Sequence, residues 1–413
     1  MDISKIKDVT KKLNVFKDYS SLLLPLGISM VAGLLFIPIQ LLSSRLESQI
    51  ANESISVGQK IDSLSASAVS RDQWKQEEEY ERSYEKDANQ ISFLTKQSAQ
   101  RELLSYKIFP QPKKDVSALV FSEFGQRFRE KISELLVRVN ARDCPTPAEL
   151  ERSLQSSVAS RTYQSEGAVV PSQDTMVGRV MRDALCRARA EAASVYINPE
   201  DLSGYGTWGE YKYTGIADAT NDCWYGQLAY WIVEDVISTI DVMNTGSNSV
   251  FTSPVKHLLS VTFTTDSGES KTTSLADSRP SYIITVQEGL TEPLTARVCN
   301  SDIDVVHFNV AVIVNTKAIL PFMQQICSAK QHKFRGFSGD EQEMTFKHNQ
   351  ITVLESTISQ VDREDPSYSL YQYGEDAVVR LDLICEYIFY KKGYKEIKPA
   401  AVKELLKEQQ PGE

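Results

Sequence analysis

Histidine is scarce in this chain. There are four in 413 residues (His257, His307, His332 and His348), and no two stand at HxxxH or HExxH spacing. The six cysteines, Cys144, Cys186, Cys223, Cys299, Cys327 and Cys385, contain no CxxC and no metal-like spacing. No GxxxxGKS/T loop is present, and no GxGxxG follows a strand-like segment. The stretch Gly204-Tyr205-Gly206-Thr207-Trp208-Gly209 runs into charged and aromatic residues and reads as a Gly/aromatic loop that breaks regular structure. Gly336-Phe337-Ser338-Gly339-Asp340 is a turn without the strand-to-helix context of a nucleophile elbow. The acidic run Glu77–Glu79 reads as a solvated helix face. Glu234 and Asp235, adjacent on a predicted helix, are expected to point apart and so cannot share a substrate. With no catalytic, cofactor-binding or metal-ligating set visible, the chain reads as non-enzymatic, with no cofactor.

Excess positive charge is missing too. The formal net charge is −10, which argues against a nucleic-acid partner, because phosphate neutralisation needs clustered Lys and Arg. Cys327 and Cys385 sit among apolar residues and read as small core side chains, and no disulfide pairing follows from the spacing.

The most pronounced absence is local. From Tyr19 to Ser44, twenty-six residues carry no charge. About twenty apolar helical residues cross a hydrocarbon core of roughly 30 Å. The segment therefore reads as a transmembrane helix (19–44) anchored in the lipid bilayer by Leu22, Leu26, Ile28, Val31, Leu34, Leu35, Phe36 and Ile37. A cleaved signal peptide would have a shorter apolar core ending at a small-x-small site, and Pro38-Ile39-Gln40-Leu41-Leu42 prolongs the run instead. Pro25 and Pro38 are expected to limit the helix near its two ends. Lys5, Lys7, Lys11, Lys12 and Lys17 precede the span, whereas only Arg45 and Lys60 follow it closely. By lysine and arginine count the tail (1–18) is expected in the cytoplasm and the remainder outside, in the periplasm of a diderm cell.

From Arg45 to Phe109 there is no proline and one glycine, Gly58. Ile50, Ser54, Val57, Ile61, Leu64 and Ala68 alternate at spacings of four and three, the seam of a coiled coil whose interface would be Ile50, Val57, Ile61 and Leu64. Nothing forces a stop, so the expectation is a continuous stalk over 45–109, ended by Pro110-Gln111-Pro112. A helical region and linker (110–200) follows. Its first helix places Val116, Leu119, Val120, Phe124, Phe128, Ile132, Leu135, Leu136 and Val139 on one face. A Ser-, Gln- and Ala-rich segment then leads to Pro171, and a further helix over 175–193, capped by Asp174 or Thr175, turns Met181, Ala184, Leu185 and Ala188 inward.

The last half (222–398, with a tail 399–413) reads as one α+β domain. Its opening helix carries Leu228, Trp231, Ile232, Val236, Ile240 and Met243 on one face. Next come a strand with Leu259, Val261 and Phe263 alternating, an insertion (265–302) carrying an extra strand at Tyr282–Val286, and a strand with Val306, Phe308, Val310, Val312 and Val314 on one face. His307, on the opposite face, reads as a hydrogen-bonded sheet residue. A helix with Ile319, Phe322, Met323, Ile326 and Cys327 and two strands near 351–361 and 379–389 complete an αββαββ order. That order fits a ferredoxin-like layout entered at a different point, with both helices on one sheet face.

A basic tail, one apolar span, a coiled-coil stalk and such a domain together resemble the type IV pilus alignment proteins of the PilN/PilO kind and their type II secretion counterparts GspL and GspM. PilO and GspM are nearest, because the tail Met1-Asp2-Ile3-Ser4-Lys5-Ile6-Lys7 lacks the Ile-Asn-Leu-Leu-Pro-type motif of PilN. Three stretches, 230–237, 304–310 and 379–383, also look like pilus-associated proteins of planctomycete–verrucomicrobial bacteria. The resemblance implies a bitopic inner-membrane scaffold, paired as a homodimer or with a paralogous alignment protein and docked to other pilus or secretion platform proteins. The alternative is a periplasmic ligand-binding or sensor module on one helix, against which the short tail counts as too small for an output domain.

Overall fold

The computed structural model describes residues 20–67, 70–112, 117–162, 175–264, 279–362, 365 and 368–407. The lysine-bearing tail, Ala68, Val116, residues 163–171, the first part of the predicted insertion and the last six residues lie outside them, as do the side chains of Leu22 and Ile37. The chain divides into two compact units, Met1–Asp87 and Ala88–Glu413.

In the first unit one helix, α1, runs Ser20–Ser67. It contains both Pro25 and Pro38, so neither limits it as expected. Each proline forfeits one backbone hydrogen bond. The rest of the run supplies enough continuous helix for the chain to pass through. α2 (Arg71–Ser98) begins at a capping box. Gln73 N donates to Ser70 Oγ at 3.2 Å, and Ser70 N donates to Gln73 Oε1 at 2.9 Å. The helical stretch from 45 is therefore two helices, and it ends at Ser98, eleven residues before the expected stop at Phe109. Leu103, Ile108 and Phe109 leave helical geometry because they are buried in the core of the second unit.

α3 (Leu119–Arg138) buries Phe121, Phe124, Phe128, Ile132 and Leu135, whereas Leu119 is exposed. β1 (Ala141–Arg142), α4 (Pro147–Thr162), α5 (Met176–Ala192) and β2 (Val195–Ile197) follow. The α5 N-cap is Thr175, whose side chain accepts from Gly178 N at 3.1 Å. The buried face of α5 holds Cys186 and Ala190, so Ala184 and Ala188, expected inside, face outward. The Gly-rich stretch does not simply break structure: Gly204 takes φ 91° and opens a short helix, α6 (Tyr205–Gly209).

α7 (Ile216–Met243) is the centre of the unit, with eighteen of its 28 residues buried. The expected single apolar face is exceeded because α3 and α6 pack on it as well as the sheet. Gly226 permits this, since a Cβ there would stand 2.8 Å from the Trp208 ring and 3.1 Å from Phe124.

β3 (Val255–Thr262) and β4 (Ile303–Asn315) are antiparallel neighbours. Register shifts in β3 break the expected Leu259–Val261–Phe263 alternation: Leu258, Val261 and Phe263 join the main core and Leu259 faces the other side. The predicted strand at Tyr282–Val286 is reduced to one bridge, Tyr282 to Val306, and a short 3-10 turn at Val286–Glu288. α8 (Ile319–Ile326) carries Pro321 in its first turn and buries Phe322 and Ile326. A separate hairpin, β5 (Lys330–Phe334) with β6 (Met344–His348), was not foreseen, although its Gly336 and Gly339 turn was. β7 (Ile351–Gln360), β8 (Val378–Tyr390), α9 (Lys391–Tyr394) and α10 (Ala400–Leu405) end the fold.

The main sheet is mixed and six-stranded, ordered β1-β2-β3-β4-β8-β7. Its β1–β2 and β2–β3 pairs are parallel, and the other three are antiparallel. One face of β4 and β8 (Val306 to Val314, Leu381 to Phe389 by alternate residues) forms one core with α3, α7 and α8. On the other face Ile313 meets Tyr196, Val250 and Tyr373. The six cysteines are free thiols.

Candidate functional site

The predicted anchor and seam residues lie along α1. Leu26, Ile28, Val31, Leu34, Leu35 and Phe36 are all more than half exposed, as are Ile50, Val57, Ile61 and Leu64. Successive seam residues fall within about 60° of one another at 100° per residue. The helix is long and apolar enough to cross a membrane, and none of that apolar window is buried.

In the second unit the polar chemistry is concentrated around an extended segment that the sequence did not advertise. Arg101, only 2 % exposed, reaches Asp235 on α7 with both terminal nitrogens, Nη1 to Oδ2 at 3.0 Å and Nη2 to Oδ1 at 3.1 Å. Its Nη2 also donates to Glu234 at 2.7 Å. Glu234 and Asp235 do not point apart as expected, because both converge on one guanidinium. The Tyr387 hydroxyl from β8 donates to Asp235 at 2.7 Å, and His348 Nε2 stands 3.4 Å from the same carboxylate.

Burial alone would raise the Asp235 pKa. The Arg101 charge, with His348 beside it, overcomes that and holds the carboxyl well below the usual range. The backbone around Arg101 is fixed as well. Glu102 N donates to Lys333 O, Leu104 N donates to Gln227 Oε1, and Trp231 Nε1 donates to Glu102 O. The cluster ties segment 97–104 to α7, β5 and β8. A buried, bidentate ion pair of this kind fixes the geometry of the segment against α7.

A second buried cluster holds the C-terminal end. Asp304 on β4 takes Lys398 Nζ at 2.6 Å and Lys391 Nζ at 3.2 Å, and Tyr394 donates its hydroxyl to the same carboxylate. Trp224 stacks on Tyr394 with ring centres 5.7 Å apart, shielding the charges. His307, as expected, is hydrogen-bonded: it accepts from Leu290 N at 3.1 Å.

One open groove of about 960 Å³ lies between the outer face of α3 and α6, lined by Gln126, Arg129, Glu130, Ser133, Tyr205 and Trp208 among others. Arg129 stacks over Tyr205 at 4.8 Å. Among the described residues no group of three or more His, Cys, Asp or Glu could hold a metal ion.

The signal for Arg101 was a weak one. Leu103, Leu104, Ile108 and Phe109 are apolar, do not continue the preceding heptad, and sit next to a lone arginine.

No protein-family model matches the chain, and no curated protein matches it. Two crystal structures from Akkermansia muciniphila are similar to it at low levels. One is 10% identical with a TM-score of 0.27, over 76% of this chain and 97% of that one. The other, a core domain, is 9% identical with a TM-score of 0.23, over 63% and 98%. Similarity of that order assigns neither family nor function.

Proposed function

We propose that this protein is a non-enzymatic, single-pass scaffold of an inner-membrane pilus or type II secretion assembly, acting through protein–protein contacts. The observation that carries the reading is α1, an unburied apolar helix of membrane-crossing length that also bears the heptad seam. The sheet adds support. Its β3-β4-β8-β7 part is antiparallel throughout, with α7 and α8 on one face, the arrangement a permuted ferredoxin-like αββαββ domain would have. In this reading the lysine-bearing tail is cytoplasmic, the α+β unit is periplasmic, and the seam pairs two copies or a copy and a paralogue. The buried Arg101 and Asp304 clusters hold the docking domain rigid and carry no chemistry of their own.

Orientation is tested directly. Alkaline phosphatase fused after Glu413 should be active in the periplasm, and a reporter that works only in the cytoplasm should be silent at the same position. The opposite pattern would refute the scaffold as described.

The seam is tested separately. Val57→Glu with Leu64→Glu places charge where pairing must desolvate it, at a cost on the order of 1–3 kcal/mol per site. Cross-linking through cysteines placed at Ile50 or Ile61 should then disappear, while the melting of the α+β unit stays unchanged. Equal cross-linking from the outward Gln59 and Ser63 in the parent protein would mean that no seam exists.

A further inference from the structure

The main sheet ends differently at its two edges. On one side it is closed by β1, which is only two residues long and offers almost no free ladder. On the other side β7 runs ten residues, and among the described residues no other strand pairs with its outer edge. Residues 355–360 are all exposed, and among the described residues no backbone hydrogen bond from outside the sheet reaches Ser356–Gln360.

Long edges are ordinarily blunted by lysine, proline, bulges or cover, since their unpaired N–H and C=O groups template further pairing. The bulge in β7 lies at Val353/Glu355, and the one charge, Glu355, is engaged by Thr291 Oγ1 at 2.8 Å. Beyond it, Ser356-Thr357-Ile358-Ser359-Gln360-Val361 has neither charge nor proline. Ile358 pairs with the buried Leu381 of β8, yet is itself 54 % exposed. A β-branched apolar side chain at the centre of a bare edge favours pairing with a further strand that would cover it.

We infer that β7 pairs antiparallel with β7 of a second copy of this chain, about a two-fold axis at Ile358. The choice of occupant follows from self-complementarity. An isologous contact requires the strand to match its own reverse. With the axis at Ile358, the two Ile358 side chains lie side by side on one face and cover each other. Thr357 meets Ser359, a hydroxyl pair of the kind that stabilises cross-strand contacts, and Ser356 meets Gln360. Glu355 meets Val361, so no like charges face each other. The uncharged stretch gives an oppositely charged partner nothing to select. The pairing joins the sheets of two copies and does not depend on the pilus reading.

The experiment uses the full chain in detergent, with the unsubstituted protein as the zero for its native thiols. Directly paired edge residues have Cβ atoms about 4.5–5.5 Å apart, close enough for a disulfide with small adjustment. Ile358→Cys should give a reducible dimer several-fold more abundant than Leu320→Cys, an exposed position on α8. Adding Thr357→Lys and Ser359→Lys, which would face each other as like charges, should reduce that dimer about tenfold and leave thermal melting unchanged. In the Val57→Glu/Leu64→Glu background the Ile358 link should persist. Linking at Ile358 no stronger than at Leu320, indifference to the lysines, or loss of the link with the seam would each overturn edge pairing. So would a link in cell membranes to a different protein in place of a second copy.

Discussion

Arg101→Met should cost on the order of 3–5 kcal/mol of unfolding free energy, the usual result of removing one member of a buried ion pair. The side chain is replaced by one of similar reach, so little cavity forms. The loss comes from Asp235, which is 2 % exposed and would keep its charge with only Tyr387 and His348 beside it. Pairing Arg101→Met with Asp235→Leu should recover most of the loss, because replacing both members by apolar groups removes the stranded charge. Equilibrium urea unfolding of the single and double variants decides the matter. If the double variant is no more stable than Arg101→Met, the deficit lies in packing. A loss below about 1 kcal/mol for the single variant would place the pair in solvent contact.

Acid should destabilise the second unit through two buried histidines as pH falls below about 6.5. His257 is buried against Tyr196, Tyr371 and Tyr373, and burial pushes its pKa down to about 3. His332, on β5, is likewise pushed down to about 3, first by burial and then by the nearby Arg101 charge. Its Nε2 faces the carbonyls of Gln97 and Gln100. In the unfolded chain both titrate near 6.5. Between about 6.5 and 3 the unfolded state therefore binds protons that the folded state refuses, and stability falls as pH falls. At pH 5 each histidine costs roughly 2 kcal/mol relative to pH 7. Asp235, held low, adds a loss of the same sign only below the ordinary carboxylate range, near pH 4. The difference in unfolding free energy between pH 7 and pH 5 should shrink by roughly 2 kcal/mol in His257→Leu, whatever that substitution does to stability at pH 7. An unchanged difference would mean that His257 takes up its proton in the folded state.

How far the fold could be read in advance depended on whether a residue's partners were near in sequence. Alternation along β4 and β8, the i, i+3, i+4 spacing of α3 and α8, and the cap at Thr175 are local signals, and each is where its pattern puts it. β1 and β2 are too short to show a period, so the two parallel additions to the sheet were invisible. The early end of α2 was missed for a different reason: residues 99–109 have adequate helix propensity, and tertiary burial overrides it. The Ser70–Gln73 capping box, by contrast, is a local S-x-x-Q signature. The Arg101 cluster joins positions 134 and 286 residues apart, a pairing that one sequence does not encode in any periodic form.

β8 lies between β4 and β7, making thirteen residue pairings with one and nine with the other, and among the described residues it is the last strand in sequence. It emerges from the ribosome after its two neighbours. Until Val378–Tyr390 has emerged, β7 has no neighbour in the main sheet, β4 has one open flank, and the Arg101–Asp235 pair lacks Tyr387. Residues 391–398, which neutralise Asp304, arrive later still. Folding of this unit thus waits until Tyr390 has emerged, with long-range pairings that form slowly. A nascent chain stopped short of residue 378 carries β4 with an unfilled edge and a buried carboxylate with no cation, so truncated products should be insoluble and quickly degraded.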